Sequence, residues 1–364
     1  MEVSLKEISK IVTGNTPSKK NKNYWNSEDI CFIKPDVIGS GIDSITTSNE
    51  YISNFASSKA RIVDRNTILI TCIGNIGRIG IVSDKKVAFN QQINAIIPNY
   101  KINIRYLAYV LLFSQPRLNA LANSAVVPIV NKTQLGNFKI KINPNVESQG
   151  KIVSILDKIA KIIKNQTKEI KRLDELIKAR FVEMFGDPII NNKNIKKQKL
   201  GDICLLKAGD FTPSKKISPV KTSIDKYPCF GGNGIRGYVD NYTHQGSYSL
   251  IGRQGALCGN VKFATGKFRN TEHAILVSPN IEINSRWLFE LLNLEKLNRF
   301  RSGAAQPGLA VKTLNEIIVP VADLNSQNEY ANFVQQVDKS KVAVQKSLDE
   351  TQKLFNSLMQ KYFG

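Results

Sequence analysis

The sequence predicts an α+β chain in which two globules alternate with two long helices, the helices packing as an antiparallel coiled coil about a pseudo-twofold internal repeat. Three observations predict it. A heptad seam runs through Glu147–Phe185 as Ile159, Ile163, Ile170, Leu173, Ile177 and Met184, interrupted by Gln166 and Arg180. The same register returns as Val337, Lys341, Val344, Leu348, Thr351, Phe355, Leu358 and Tyr362. The ends also match, Ser148-Gln149 with Ser326-Gln327 and Phe185-Gly186 with Phe363-Gly364.

Each helical stretch of about 39 residues is roughly 58 Å long. A lone helix of that length with one apolar stripe is poorly satisfied in water, so each needs a partner, and the other is at hand. The pairing positions are Ile159, Ile163, Ile170, Leu173 and Ile177 on the first, with Val337, Val344, Leu348, Phe355 and Leu358 on the second. Gln166, Arg180, Lys341 and Thr351 either fix register, contact partners, or stand at the solvent edge. The direction follows from the linker. Gly186 to Leu200 spans about 14 residues, at most roughly 48 Å extended, too short to retrace a 58 Å helix for a parallel pair.

The segments are therefore 1–146 (first globule), 147–186 (helix), 187–199 (linker), 200–324 (second globule) and 325–364 (helix). In the first globule, β-rich runs from Ile30 to Pro98 are punctuated by Gly, Asn, Asp and Ser. Ile68–Ile73 reads as a buried strand leading into the glycine-rich Gly74–Gly80. Leu107–Asn123 reads as a helix with Pro116 as a kink or break, and Phe138–Ile142 as a strand stopped by Pro144. The second globule starts over. Leu200-Gly201-Asp202-Ile203 answers Leu5-Lys6-Glu7-Ile8, and Thr212-Pro213-Ser214-Lys215-Lys216 repeats Thr16-Pro17-Ser18-Lys19-Lys20. Leu250–Gly255 answers the stretch at Ile73–Gly77, whereas Asn21–Val63 and Ile217–Ser249 share almost nothing. A repeated frame with two different faces points to one operation on two targets.

The 364 residues carry a net charge of +21, which favours a polyanionic partner; an AT-rich genome is the competing explanation. No apolar run approaches a membrane span, the N-terminus lacks signal-peptide features, and five cysteines without a CxxC pair fit a reducing cytoplasm. Phe230-Gly231-Gly232-Asn233-Gly234 fits FxGxG, but no strand–helix unit follows it for a methyltransferase cofactor. No Asn-Pro-Pro-aromatic motif and no phosphate-binding P-loop are present. His244 and His273 lack an obvious metal or triad setting.

The order globule, helix, globule, helix resembles the specificity subunit of Type I restriction-modification systems across essentially the whole chain. Its marks are Leu200–Ile203, Phe230–Gly234 with Arg236-Gly237-Tyr238, Gly252–Gly255, and the helix-opening Gln149 and Gln327. The resemblance implies two target recognition domains on double-stranded DNA, no catalysis or cofactor on this chain, and two DNA-adenine methyltransferase partners. Restriction/translocase subunits are further implied partners, with S-adenosylmethionine, ATP and Mg on the partner subunits. Candidate phosphate contacts are Lys19, Lys20, Lys215 and Lys216; candidate base or groove contacts are Asn75, Arg78, Asn90, Gln91 and Gln92 in the first globule. Asn233, Arg236, Arg253, Gln254, Arg269, Asn270 and His273 are those of the second. Two other classes are distinguishable: an autonomous DNA-modifying or DNA-cutting enzyme would act without added subunits, and a basic coiled-coil scaffold would bind DNA negligibly.

Overall fold

The computed structural model describes residues 1–83, 86–122, 127–303 and 307–364. Both long helices form, Val146–Phe185 and Leu324–Phe363. The chain divides into two compact units: Met1–Gln166 with Ser347–Gly364, and Thr167–Lys346. Each contains a globule together with the opening half of one helix and the closing half of the other.

In the first unit, a five-stranded sheet runs in the order Ser9–Thr13, Ile93–Pro98, Ile68–Thr71, Ile79–Val82, Ile42–Ile45. Beside it lies a four-stranded sheet, Glu50–Ile52, Ile30–Ile33, Val87–Phe89, Ile62–Val63. Ile68–Thr71 is buried at every position, as its unbroken apolar run requires of a strand covered on both faces. Proline splits the next helix as expected: Ile104–Phe113 ends at Ser114, and Gln115–Ala120 restarts with Pro116 in its first turn, where a missing N–H costs nothing. The expected end at Asn123 lies outside the described residues.

The second unit has one six-stranded sheet, Cys204–Ala208, Ala274–Pro279, His244–Gly252, Val261–Asn270, Tyr227–Gly231, Gly234–Val239. Its first four strands repeat the order of the first four in the other unit. In both, a three-residue strand at the entry pairs with one just before the long helix: Glu2–Ser4 with Lys139–Lys141, and Lys197–Lys199 with Ile318–Pro320. The stretch 187–199, expected as a linker, therefore ends in a strand. Its backbone donors and acceptors find partners in Ile318–Pro320 despite the polar side chains.

Within each unit the two helix halves run antiparallel. Gln166 Nε2 donates to Ser347 Oγ at 2.8 Å in the first; in the second, Arg180 reaches Glu329 at 3.0 Å and Lys341 pairs with Asp174. Three of the four seam interruptions thus set register, while Thr351 Oγ1 donates to Ser347 O of its own helix. Ile159, Ile177 and Val337 are buried, whereas Ile163, Ile170, Leu173, Val344, Leu348, Phe355 and Leu358 are half-buried. The deepest contacts lie at the ends. Phe181 and Phe185 pack with Tyr330 and Trp287 in the second unit, and Phe363 with Tyr106 and Phe113 in the first. A heptad seam describes a helix facing one partner; these ends face a helix and a globule, so the apolar stripe widens there.

A duplicated clasp joins each globule to its helix. Gln149 is fully buried: Oε1 accepts from the Asn103 N–H at 2.8 Å and Nε2 donates to Asn143 O at 2.7 Å. Gln327 makes the same bonds, from Asn284 N–H at 2.8 Å and to Ala322 O at 2.8 Å. Asn103 and Asn284 are themselves the N-caps of the helices Ile104–Phe113 and Ser285–Leu294. Replacing Gln149 or Gln327 by Leu strands two part-buried backbone groups, at up to about 1–3 kcal/mol each. Faster amide hydrogen exchange is expected at Asn103 in one variant and at Asn284 in the other; unchanged protection at both would refute the clasp.

One pair of equivalent positions differs in charge. Tyr109 Oη donates to Asp157 at 2.6 Å in the first unit; the second carries the buried Glu290 beside Arg286, which also faces Asp338. Burial holds the Glu290 carboxyl above its ordinary range, against the pull of Arg286. Its protonated form therefore favours folding: that stabilisation is complete below the unfolded pKa and is lost as pH rises through the folded value. Glu290→Gln should stabilise the second unit against denaturant, more at pH 8 than at pH 5. A smaller gain at pH 8 than at pH 5 would reverse the assigned sign.

Candidate nucleic-acid interface

Four loops converge in the second unit. Asp210 bridges Thr271, and the Thr212 N–H donates to Glu272 Oε2 at 3.2 Å. Thr271 N–H donates to Phe230 O at 3.0 Å, and Arg253 N–H to His273 O at 3.0 Å. These contacts gather 209–216, 230–234, 252–259 and 270–273 into one surface. The tight approach begins at Gly209, where a Cβ would stand 2.2 Å from Asn270 O. Gly231-Gly232-Asn233-Gly234 is the turn of a hairpin between the last two strands, so FxGxG here shapes a loop with no helix after it.

The first unit builds the same frame. Gly14 N–H donates to Ile93 O as Gly209 N–H does to Ala274 O, and Asn90 N–H to Ile33 O as Thr271 N–H does to Phe230 O. Cys72 N–H donates to Gln92 O, Gly74 N–H to Pro128 O and Val130 N–H to Cys72 O; Arg253 to His273, Gly255 to Pro307 and Leu309 to Arg253 match them bond for bond. A Cβ on Gly14 would likewise meet Asn90 O at 2.2 Å. The register of the glycine loop is thereby set: Gly74 answers Gly255, Cys72 answers Arg253, and Ile73 answers Gln254. Likewise Gln91-Gln92 answer Glu272-His273.

The candidate side chains divide by what already holds them. Asn270 is only 1 % exposed and donates from Nδ2 to Ala274 O at 3.1 Å, so it is a structural brace. Asn90 is buried too, its Nδ2 donating to Gln92 Oε1 at 2.9 Å. Sequence cannot distinguish a buried amide that braces a turn from one that faces DNA. Lys19 lies over the Trp25 ring and pairs with Glu50 at 2.8 Å; Lys34 also binds that carboxylate, and the two lysines hold it below the usual range. Lys19 borders an open cleft of about 650 Å³ that includes Lys22, Trp25 and Tyr51. Lys20, Lys215 and Lys216 are exposed and form no ion pair among the described residues.

Asn75 and Arg78 share a cleft of about 320 Å³ with Gln115, and Arg78 Nη1 donates to Ile38 O at 3.2 Å. Gln91 Oε1 accepts from Thr16 Oγ1 at 2.8 Å. Arg269 is braced by Thr212 Oγ1 at 2.9 Å and Asn241 Oδ1 at 2.7 Å, Asn233 by Asn260 at 2.9 Å, and His273 Nε2 lies 3.1 Å from Glu272. Arg236 and Gln254 are exposed and Arg253 half-exposed. His244 stacks on Phe268, and burial lowers its pKa.

The family model for the Type I restriction modification DNA specificity domain matches residues 1–174 and 192–352. The chain belongs to that family. It is 32 % identical over 353 residues to the Type I restriction enzyme EcoprrI specificity subunit of Escherichia coli, covering 92 % of this chain and 86 % of the relative. The MjaVIII specificity subunit of Methanocaldococcus jannaschii is 23 % identical over 347 residues, covering 83 % and 79 %. The fold matches the crystal structure of a Type I restriction-modification S subunit from M. genitalium, with TM-score 0.65 and 17 % identity, over 100 % of this chain and 96 % of that one.

This specificity subunit is the non-catalytic DNA-recognition component of a Type I system. Repetition makes its framework visible in the sequence, but matching Leu250–Gly255 to Ile73–Gly77 by glycine and apolar content sets the glycine-loop register a few residues off. Hydrogen bonding fixes the true match and shows Cys72, which is buried, standing where the second unit has Arg253. Phe211 is the residue that breaks the repeated turn, a signal legible in the sequence. Gly14→Ala and Gly209→Ala should each destabilise their own unit by about 1–3 kcal/mol or more, since the added methyl meets backbone. Hydrogen exchange near Asn90 and Asn270 would show it, and substitutions tolerated without change would count against the tight approach.

Proposed function

We propose that this specificity subunit reads a split, asymmetric DNA target, one half-site per globule, residues 1–146 and 200–324 being its two target recognition domains. The duplicated loop frame carrying different side chains supports this above all: Cys72, Ile73, Gln91 and Gln92 against Arg253, Gln254, Glu272 and His273. Equal backbone frames present to DNA in the same way, whereas unequal planar and charged groups select different bases. Lys20, Lys215 and Lys216 serve as phosphate contacts; Arg236, Arg253 and Gln254 in the second globule and Asn75 and Gln91 in the first offer donors to base edges.

Two DNA-adenine methyltransferase subunits are the partners of the modifying complex, and restriction/translocase subunits those of the cutting form, all in the cytoplasm. S-adenosylmethionine, ATP and Mg act on those partners. A solved structure with TM-score 0.57 and 17 % identity, aligned over 100 % of this chain and 97 % of its own, is described as the structural basis of complex assembly of the type I R-M system, which supports an assembled role.

Exchanging residues 1–146 for the corresponding globule of another Type I specificity subunit should change one half of the motif methylated in cells and leave the other intact. A change in both halves would refute the two-reader arrangement.

A further inference from the structure

The turn after the first main-sheet strand aligns position by position between the units with one exception. The first reads Gly14-Asn15-Thr16-Pro17-Ser18-Lys19-Lys20; the second reads Gly209-Asp210-Phe211-Thr212-Pro213-Ser214-Lys215-Lys216. The inserted residue, Phe211, is 73 % exposed, the highest value among the large apolar side chains described. Among the described residues its ring contacts no other ring and lies under no cation.

Its backbone is nevertheless held on both sides. Asp210 bridges Thr271, and Thr212 is buried, its N–H donating to Glu272 Oε2 and its Oγ1 accepting from Arg269 Nε at 2.9 Å. A rigid stem that leaves an aromatic ring in water suits a ring that meets something flat and apolar. The company it keeps is cationic: Arg269 braces the next residue, and Lys215 and Lys216, without ion pairs among the described residues, follow in the 3-10 turn Ser214–Lys216. A flat apolar face inside a strongly anionic molecule is a nucleic-acid base, and protein partners with apolar sockets do not call for a cationic surround.

We propose that Phe211 stacks against, or wedges into, a base step of the half-site read by the second globule, giving that reader a contact the first one lacks. The inference rests on assigning this loop cluster to DNA. It adds a sequence-tolerant apolar contact beside the polar ones, and it distorts the duplex on one side of the split target only.

The test uses the full-length chain assembled with its methyltransferase. Its DNA is a duplex bearing the motif found methylated in cells, with 2-aminopurine placed in turn at each base of the two half-sites. Leaving aside the adenines that the methyltransferase itself takes out of the stack in either half-site, wild type should brighten 2-aminopurine at one step of the second half-site and at none in the first. F211A should abolish that signal and weaken binding about tenfold, leaving the slope of log K against log salt unchanged because no phosphate contact is lost. F211W should restore both.

Wild-type affinity and fluorescence in F211A would overturn the inference while leaving the DNA-reading role intact. So would an F211A that assembles poorly with the methyltransferase yet, once assembled, binds DNA normally. A wild-type complex that fails to distinguish the motif duplex from a scrambled one would instead overturn the assignment of the function, and the inference with it.

Discussion

Neither globule closes its hydrophobic core with its own residues. The first is completed by Val153 and Leu156 from the start of one long helix and by Met359 and Phe363 from the end of the other. The second is completed by Tyr330, Val334 and Val337 together with Ile177, Phe181 and Phe185. Large aromatic side chains bury 150–250 Å² or thereabouts each, so removing one helix end would open a core rather than trim an edge. The helices are consequently part of each folding unit, and one globule cannot be stable in the absence of both.

The clasps of Gln149 and Gln327 translate that shared core into a fixed direction. A packed aromatic contact tolerates some rotation, but an amide bonding one N–H and one C=O tolerates little. Because the N–H belongs to the cap of the helix behind the sheet, the start of each long helix is tied to the same feature in both units. Arg105 with Asp157, at 2.6 Å, and Arg286 with Asp338, at 3.6 Å, add a second tether from matching arginines to acids one helical turn apart in the repeat, weaker because it is partly exposed.

Much of this was legible in the sequence because repetition and periodicity are strong signals. The helix limits, the antiparallel pairing, the Pro116 break and the buried Ile68–Thr71 strand follow from patterns that tertiary contacts reinforce. The interface was less so. Asn270 and Asn90 are the right residue types for reading bases, yet backbone contacts bury them; Lys19 looks like a phosphate clamp, yet Glu50 and Trp25 hold it. Such commitments come from residues distant in the chain, and a single sequence does not show them. Phe181 and Phe185 lie outside a seam of fixed width because the helix end there serves two neighbours.

The division of labour between backbone and side chain follows from the same geometry. Most of the bonds that gather the four loops are main chain to main chain, with Glu272, Asn270 and Asn90 as the side chains that brace them, so the other projecting positions are free to vary. Position 253 holds an arginine while its counterpart, position 72, is a buried cysteine whose thiol burial pushes up to about 11. Position 272 holds a carboxylate while position 91 holds an amide. A frame held mainly by main-chain bonds can be duplicated and then diverge without refolding, and Phe211 shows that it also accepts an extra residue. Its neighbours Asp210 and Thr212 keep their bonds to the loop at 271–272, so the insertion is absorbed as a projection at the surface. In such a scaffold, change is cheapest where DNA would be met.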